Sequence, residues 1–264
     1  FFERLQKSVR LYENNATAYL RTHPLTGERL SDMQNREQAV SYRQVADSQD
    51  FLLIRAKLRA LQGTAGEAVH DFEGLLRDKK FVSEGAIRFG LAVALARKRD
   101  WVAAEQELLL ARKLKVTAAI LERQLAEVKL AQGDASAALT IYREAMVRYP
   151  LNLALNYGYG QALIKLKRYD EALKFADMQL QSYPQDVRLH KMRAESYAGL
   201  GRGAQQHQAL AEVFSLQGQT AGAIEQLQHA QKAGDANFYE QSVIDARLRE
   251  LRKRLLEEQK EKRN

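Results

Sequence analysis

Apolar and polar positions along this chain alternate in blocks that follow a helical period. The stretch from Val93 reads VALARKRDWVAAEQELLLARKL, that from Val128 reads VKLAQGDASAALTIYREAMVRYP, and that from Gln161 reads QALIKLKRYDEALKFADMQLQSYP. Each closes an apolar helix, crosses a short polar turn and opens a second helix on small residues. Ala104, Ala138 and Ala172 recur at intervals of 34, and Pro150 and Pro184 are also 34 apart. Ala68, in LQGTAGEAVHDFEGLL, stands 36 before Ala104. Ala223, in LQGQTAGAIEQLQHA, stands 51 after Ala172, one and a half repeats, which predicts one additional helix interposed there. Only three prolines occur, and β-branched runs bounded by turn residues are scarce. The pattern predicts an all-α fold.

A helix-turn-helix unit of this length resembles the tetratricopeptide repeat. In the unit from Ala119, Ala126 stands where the two helices cross, Ala138, Tyr142 and Ala145 line the second helix, and Pro150 ends it. In the next unit Gly160 and Ala172 take the close-packing positions and Pro184 the terminal one. The large aromatic usual early in the first helix is absent, and only two units carry the proline. The resemblance implies a right-handed solenoid over residues 47–237, whose first helices line a concave surface that takes extended peptides or protein segments. It places Phe89, Val93 and Arg97 on that groove, then Arg123 and Glu127, then Tyr157, Gln161 and Lys165, then Lys191 and Glu195. Several of these can equally pack between neighbouring helices. The paired Lys/Asn and Lys/Arg spacing with which chaperone-binding members clamp a terminal carboxylate is missing from the groove. Residues 238–264 read as a capping helix with a polar tail. Phe238, Val243, Ile244, Leu248, Leu251 and Leu255 are expected to dock, and the chain is expected to fray from Glu257.

The net charge of +8 raises nucleic acid as a partner, but its distribution predicts otherwise. Half of the excess lies between Arg247 and Asn264, with eight Lys/Arg against four Glu, and no basic run is interleaved with stacking aromatics. The absence of cysteine excludes disulfides, thiolate metal sites and a cysteine nucleophile. No apolar run reaches membrane-spanning length and no signal peptide is visible. The first residue is Phe1 rather than Met, so an upstream segment is expected.

Catalytic patterns are nearly absent. No His-Glu-x-x-His, phosphate-binding Gly-rich loop or Gly-x-Ser-x-Gly elbow occurs. His70, His190, His207 and His229 read as ordinary helix residues. The stretch is expected to hold no catalytic residue, metal or cofactor of its own.

Residues 19–36, YLRTHPLTGERLSDMQNR, do not fit the repeat. His23–Pro24 starts a turn, Thr26 can cap the following helix, and FFERLQKSVRLYENN before it is amphipathic through Phe2, Leu5, Val9 and Tyr12. Thr22, His23, Pro24, Arg29 and Leu30 match the Thr-His-Pro-x-x-x-x-Arg-Leu segment that follows the zinc-binding region in His-Glu-x-x-His metallopeptidases. With repeats downstream, the chain resembles the C-terminal half of a periplasmic zinc metallopeptidase of the β-barrel assembly-enhancing family. That resemblance implies that residues 1–46 close a peptidase domain whose zinc ligands lie upstream. It also implies a Gram-negative periplasmic location, and outer-membrane β-barrel precursors or their assembly machinery as partners. His23 would lie beside the catalytic cleft, where its imidazole could close over the metal. The alternative is a freestanding repeat scaffold or co-chaperone with no protease parent.

Overall fold

A computed structural model describes residues 31–36 and 46–261. The chain divides into residues 1–48 and residues 49–264. In the first unit residues 31–36 are helical and exposed, with Arg36 Nε 3.0 Å from Asp32 Oδ2.

The second unit is a run of helices, and the described residues contain no strand. Four pairs come first: α1 (Gln49–Ala60) with α2 (Ala65–Arg77), α3 (Glu84–Arg97) with α4 (Trp101–Lys113), α5 (Ala119–Ala131) with α6 (Ala135–Arg148), and α7 (Leu153–Lys165) with α8 (Tyr169–Ser182). Then follow α9 (Val187–Gly199), α10 (Gly203–Leu216), α11 (Thr220–Lys232) and α12 (Phe238–Glu261). No described helix is both long and apolar enough to cross a membrane.

Local chemistry starts these helices. Thr64 and Glu67 form a capping box at α2: the Glu67 amide donates to Thr64 Oγ1, and the Thr64 amide donates to Glu67 Oε2. Ser83, Asp100, Asp134 and Asp186 each accept a first-turn amide with their side chains, at α3, α4, α6 and α9. The turn within a pair is short, and its middle residue has a left-handed backbone: Arg99 (φ 64), Gly133 (φ 88) and Lys167 (φ 57).

The same turn occurs twice in succession around α10, at Gly201 (φ 70) and Gly218 (φ 74). Helix α10 therefore pairs with α9 on one side and with α11 on the other. Ala223 is the fourth residue of α11, as Ala172 is of α8, and two helices separate them where one would do elsewhere. This is the interposed helix that the offset of 51 predicts.

The small residues do the work their spacing implies. Ala104, Ala126, Ala138, Ala145, Ala172 and Ala223 are fully buried, and Tyr142 almost so. At Gly160 a Cβ would overlap the tip of Met192 on α9. In α12, Ile244, Leu248 and Leu251 join Ala223, Leu227 and Ala230 of α11 in one apolar cluster. Phe238 and Val243, expected on that docking face, are instead exposed, 90% and 36% respectively. They fall off the stripe that Ile244, Leu248 and Leu251 define at 3.6 residues per turn. The end of α12 does not fray at Glu257 but stays helical to Glu261. Glu258 accepts from Arg254 Nε (2.9 Å) and from Thr220 Oγ1 of α11 (2.7 Å).

The first pair departs from the others. Helix α1 leans away from α2 and packs instead along α3, reaching the turn before α5, where the Thr117 amide donates to Gln49 Oε1 (3.2 Å).

Candidate functional site

Helices α5 and α7 present their polar faces side by side, and the space between them is a cavity of about 360 Å3. Arg123, Glu127, Tyr157, Gln161 and Lys165, all expected on the groove, line it together, with Tyr142 of α6 as its floor. Gly158 makes room for that floor, since a Cβ there would lie 2.7–3.0 Å from the Tyr142 ring atoms. Arg123 Nη2 stands 2.9 Å from Glu127 Oε1, one turn along α5. Gln161 Nε2 donates to Glu195 Oε2 of α9 at 3.3 Å, so the row continues onto the next repeat. Lys165 is exposed at the rim, and Lys191 is exposed on α9 but does not line this cavity.

Tyr157 is held from both sides. Its hydroxyl donates to Asp186 Oδ2, while Asp186 Oδ1 accepts the Arg188 and Leu189 amides that open α9. The Arg188 guanidinium lies over the Tyr157 ring, 5.0 Å from its centroid. Burial, and then the Asp186 carboxylate, push the Tyr157 phenol up to about 12. Burial also pushes the Tyr142 phenol upward, with the nearby Glu127 charge adding to it. Both are neutral donors at physiological pH, an arrangement suited to hydrogen bonding and stacking.

A neighbouring cavity of about 380 Å3 lies on the other side of Arg123, between α1 and the starts of α5 and α7. Asp50, Ile54 and Lys57 of α1 form one wall. Burial lowers the Lys57 pKa, opposed by Glu127. Arg123 thus serves both cavities, and α1 closes the groove at this end.

That closure corrects two expectations. Phe89 does not line the groove: it is fully buried, as Val93 nearly is, because α1 covers the face of α3 on which they stand. Arg97 is spent on the backbone, donating to Ala60 O at 2.5 Å and Gly63 O at 2.9 Å, where α1 ends and turns into α2. The stretch EGAIRFGLAVALAR is apolar on almost every face, which is the sequence mark of a helix covered on both sides. Asp186 and Arg188 escape a reading by helix face because they act from the start of the next repeat.

His23 lies outside the described residues. His190 is buried, with Nε2 2.9 Å from Pro184 O, and the His207 and His229 rings lie 5.3 Å apart between α10 and α11. Among the described residues no three His, Asp or Glu side chains are grouped to hold a metal ion.

Residues 129–195 match the family model of the tetratricopeptide repeat. With the paired helices and the shared turn, this gives the class of fold: an all-α helix-turn-helix solenoid that contains tetratricopeptide repeats. Over 262 aligned residues, 96% of this chain, the sequence is 29% identical to the Beta-barrel assembly-enhancing protease of Yersinia pestis. The chain spans about half of that relative, 52% of its length. Among solved structures, MamA 41-end from Desulfovibrio magneticus RS-1 aligns with 64% of this chain and 96% of its own, at 16% identity and a TM-score of 0.46. YrrB, a TPR protein with an unusual peptide-binding site, aligns with 75% of this chain and 95% of its own, at 15% identity and a TM-score of 0.46.

Proposed function

We propose that this chain is the partner-binding half of a periplasmic zinc metallopeptidase, and that it engages outer-membrane β-barrel proteins or their assembly machinery for quality control. The observation that carries this reading is the extent of the match to the assembly-enhancing protease, which runs beyond the repeats into residues 1–48. The Thr22-His23-Pro24 segment belongs to that region. In this reading residues 1–46 are the close of the peptidase domain, and zinc belongs to the part of the parent that precedes them. His23 is assigned to a loop beside the cleft, able to close over the metal. In this reading the described residues serve recognition.

The groove between α5 and α7 is the surface assigned to the client. An extended strand can lie along it, offering backbone carbonyls to Arg123, Gln161 and Lys165 and a side chain to the Tyr142–Tyr157 floor. The test uses an internal segment of an unfolded β-barrel protein, amidated at its C-terminus and labelled for anisotropy. Replacing Arg123 and Tyr157 together by alanine is expected to weaken its binding at least about tenfold, as losing a charged donor and an aromatic anchor does. Unchanged affinity would move the client site elsewhere. The protease parent has a separate check in the gene upstream of the Phe1 codon. A secretory signal followed by a His-Glu-x-x-His helix is expected there; a nearby start codon with neither would leave a freestanding scaffold.

A further inference from the structure

Helix α12 docks on α11 by one side only, through Ile244, Leu248 and Leu251. Its outward side sorts charge by flank. At 3.6 residues per turn, one flank carries Phe238, Arg249, Arg252, Lys253, Leu256 and Lys260, all of them exposed. The acid on that flank is Asp245, whose Oδ1 accepts from Gln231 Nε2 of α11 at 2.5 Å. Glu250, Glu257 and Glu261 fall on the other flank.

The cations of this flank differ from the other two arginines of the helix. Arg247 is spent on Glu212 of α10 (2.8 Å) and on Glu250 (2.7 Å), and Arg254 on Glu258 (2.9 Å). Arg249, Arg252 and Lys260 form no ion pair with another described residue. Lys253 Nζ stands 4.0 Å from Glu257 Oε1, and a pair so exposed holds its partners weakly. Two large apolar side chains share the flank, with Leu256 60% exposed and Phe238 more so. They are five whole turns apart, about 27 Å along the axis, with Arg249, Arg252 and Lys253 between them.

We infer that this flank of α12 lies on an anionic lipid surface, with its cations on headgroup phosphates and Phe238 and Leu256 sunk among the headgroups. A single helix backed by the solenoid is convex, so it offers a partner no groove for an extended chain. A lipid surface needs none: it takes a row of cations with apolar side chains standing out beside them. The contact is peripheral, because the apolar stripe of Ile244, Leu248 and Leu251 is already occupied by α11. An acidic protein would meet the same cations, but would leave two isolated apolar side chains without a role. The surface goes beyond client binding and does not depend on the groove residues.

The experiment is cosedimentation of the whole chain with vesicles of equal parts phosphatidylglycerol and phosphatidylcholine, and with vesicles of phosphatidylcholine alone. Partitioning is expected to be at least about tenfold stronger onto the anionic vesicles and to fall with added salt. Each cation near such a surface is worth about a factor of five, so R249Q/K253Q/K260Q is expected to weaken partitioning about a hundredfold. The control K98Q/K113Q/K174Q removes the same charge from exposed positions on other helices, and is expected to cost less than about threefold. F238S/L256S is expected to cost at least about fivefold, through the lost apolar burial. Equal partitioning onto the two vesicle types overturns the proposal, as does partitioning onto neither. Equal losses in the two triple variants overturn it as well, since bulk charge would then be the cause. So does an F238S/L256S variant that partitions like the unsubstituted chain, and matching affinity for polyglutamate would then make the flank a site for an acidic protein.

Discussion

Replacing Gly90 by valine should destabilise the solenoid by about 2–3 kcal/mol, the cost of forcing extra carbon into a packed core. Gly90 sits in the middle of α3, where three helices meet. A Cβ added there would stand 2.5 Å from Phe72 Cζ, closer still to Cε1, and 3.2 Å from Ala56 Cβ. Phe72 is fully buried and its ring is rigid, so it cannot fold away as a long flexible side chain could. The strain would fall on α1 and α2 first, because they share this contact and little else joins them. Chemical denaturation followed by far-ultraviolet circular dichroism reads the loss directly. A second substitution provides the internal control. Phe72→Leu alone should also destabilise, but combined with Gly90→Ala the two costs should sum to less than their separate values, since each relieves the other. Strict additivity would mean that the two residues do not compete for the same space.

The second large effect is expected at Tyr142. Truncation to alanine should remove about 3–5 kcal/mol, the range for deleting a buried aromatic ring. Tyr142 is 1% exposed and stands against Arg123 of α5 and Gly158 and Tyr159 of α7. Its ring meets Tyr159 edge-on at 6.3 Å, and Tyr159 meets Phe175 at 5.0 Å, so one aromatic run joins α6, α7 and α8. The same substitution removes the floor of the groove, so client affinity should fall with stability. Tyr142→Phe separates the two. It keeps the ring, and only the hydroxyl beside Arg123 is lost, so stability should change by about 1 kcal/mol. A midpoint for Tyr142→Phe as low as that for Tyr142→Ala would show that the hydroxyl, and not the packed ring, holds these helices.

These two positions explain why the interaction surface is uneven along the solenoid. Around α5 and α7 the repeat is regular, and the polar faces of the first helices stay open. Around α3 that face is covered by α1.

Much of this was legible in the residue order. Helix starts follow from Thr64, Ser83, Asp100, Asp134 and Asp186, each acting on an amide two or three residues away. The spacing of Ala104, Ala138 and Ala172 marks the crossing points, and the offset of Ala223 marks the extra helix, because small residues are needed wherever backbones approach. Arg123, Tyr157, Gln161 and Lys165 share a cavity because a regular repeat puts equivalent faces side by side. Such features rest on neighbours in sequence or on strict periodicity, and both are written along the chain.

The assignments that depended on α1 were not legible. Phe89 and Arg97 stand on the face that a regular repeat leaves open. Whether it is open depends on a helix some 35 residues earlier and on how far it leans from α2. Phe238 and Val243 differ from these, since the 3.6-residue period already sets them off the stripe of Ile244, Leu248 and Leu251. The sequence by itself determined the helices, their caps and their repeat, through interactions spanning a few residues. Only the tertiary structure decided which faces remain in contact with solvent, because that is a property of long-range packing between whole helices.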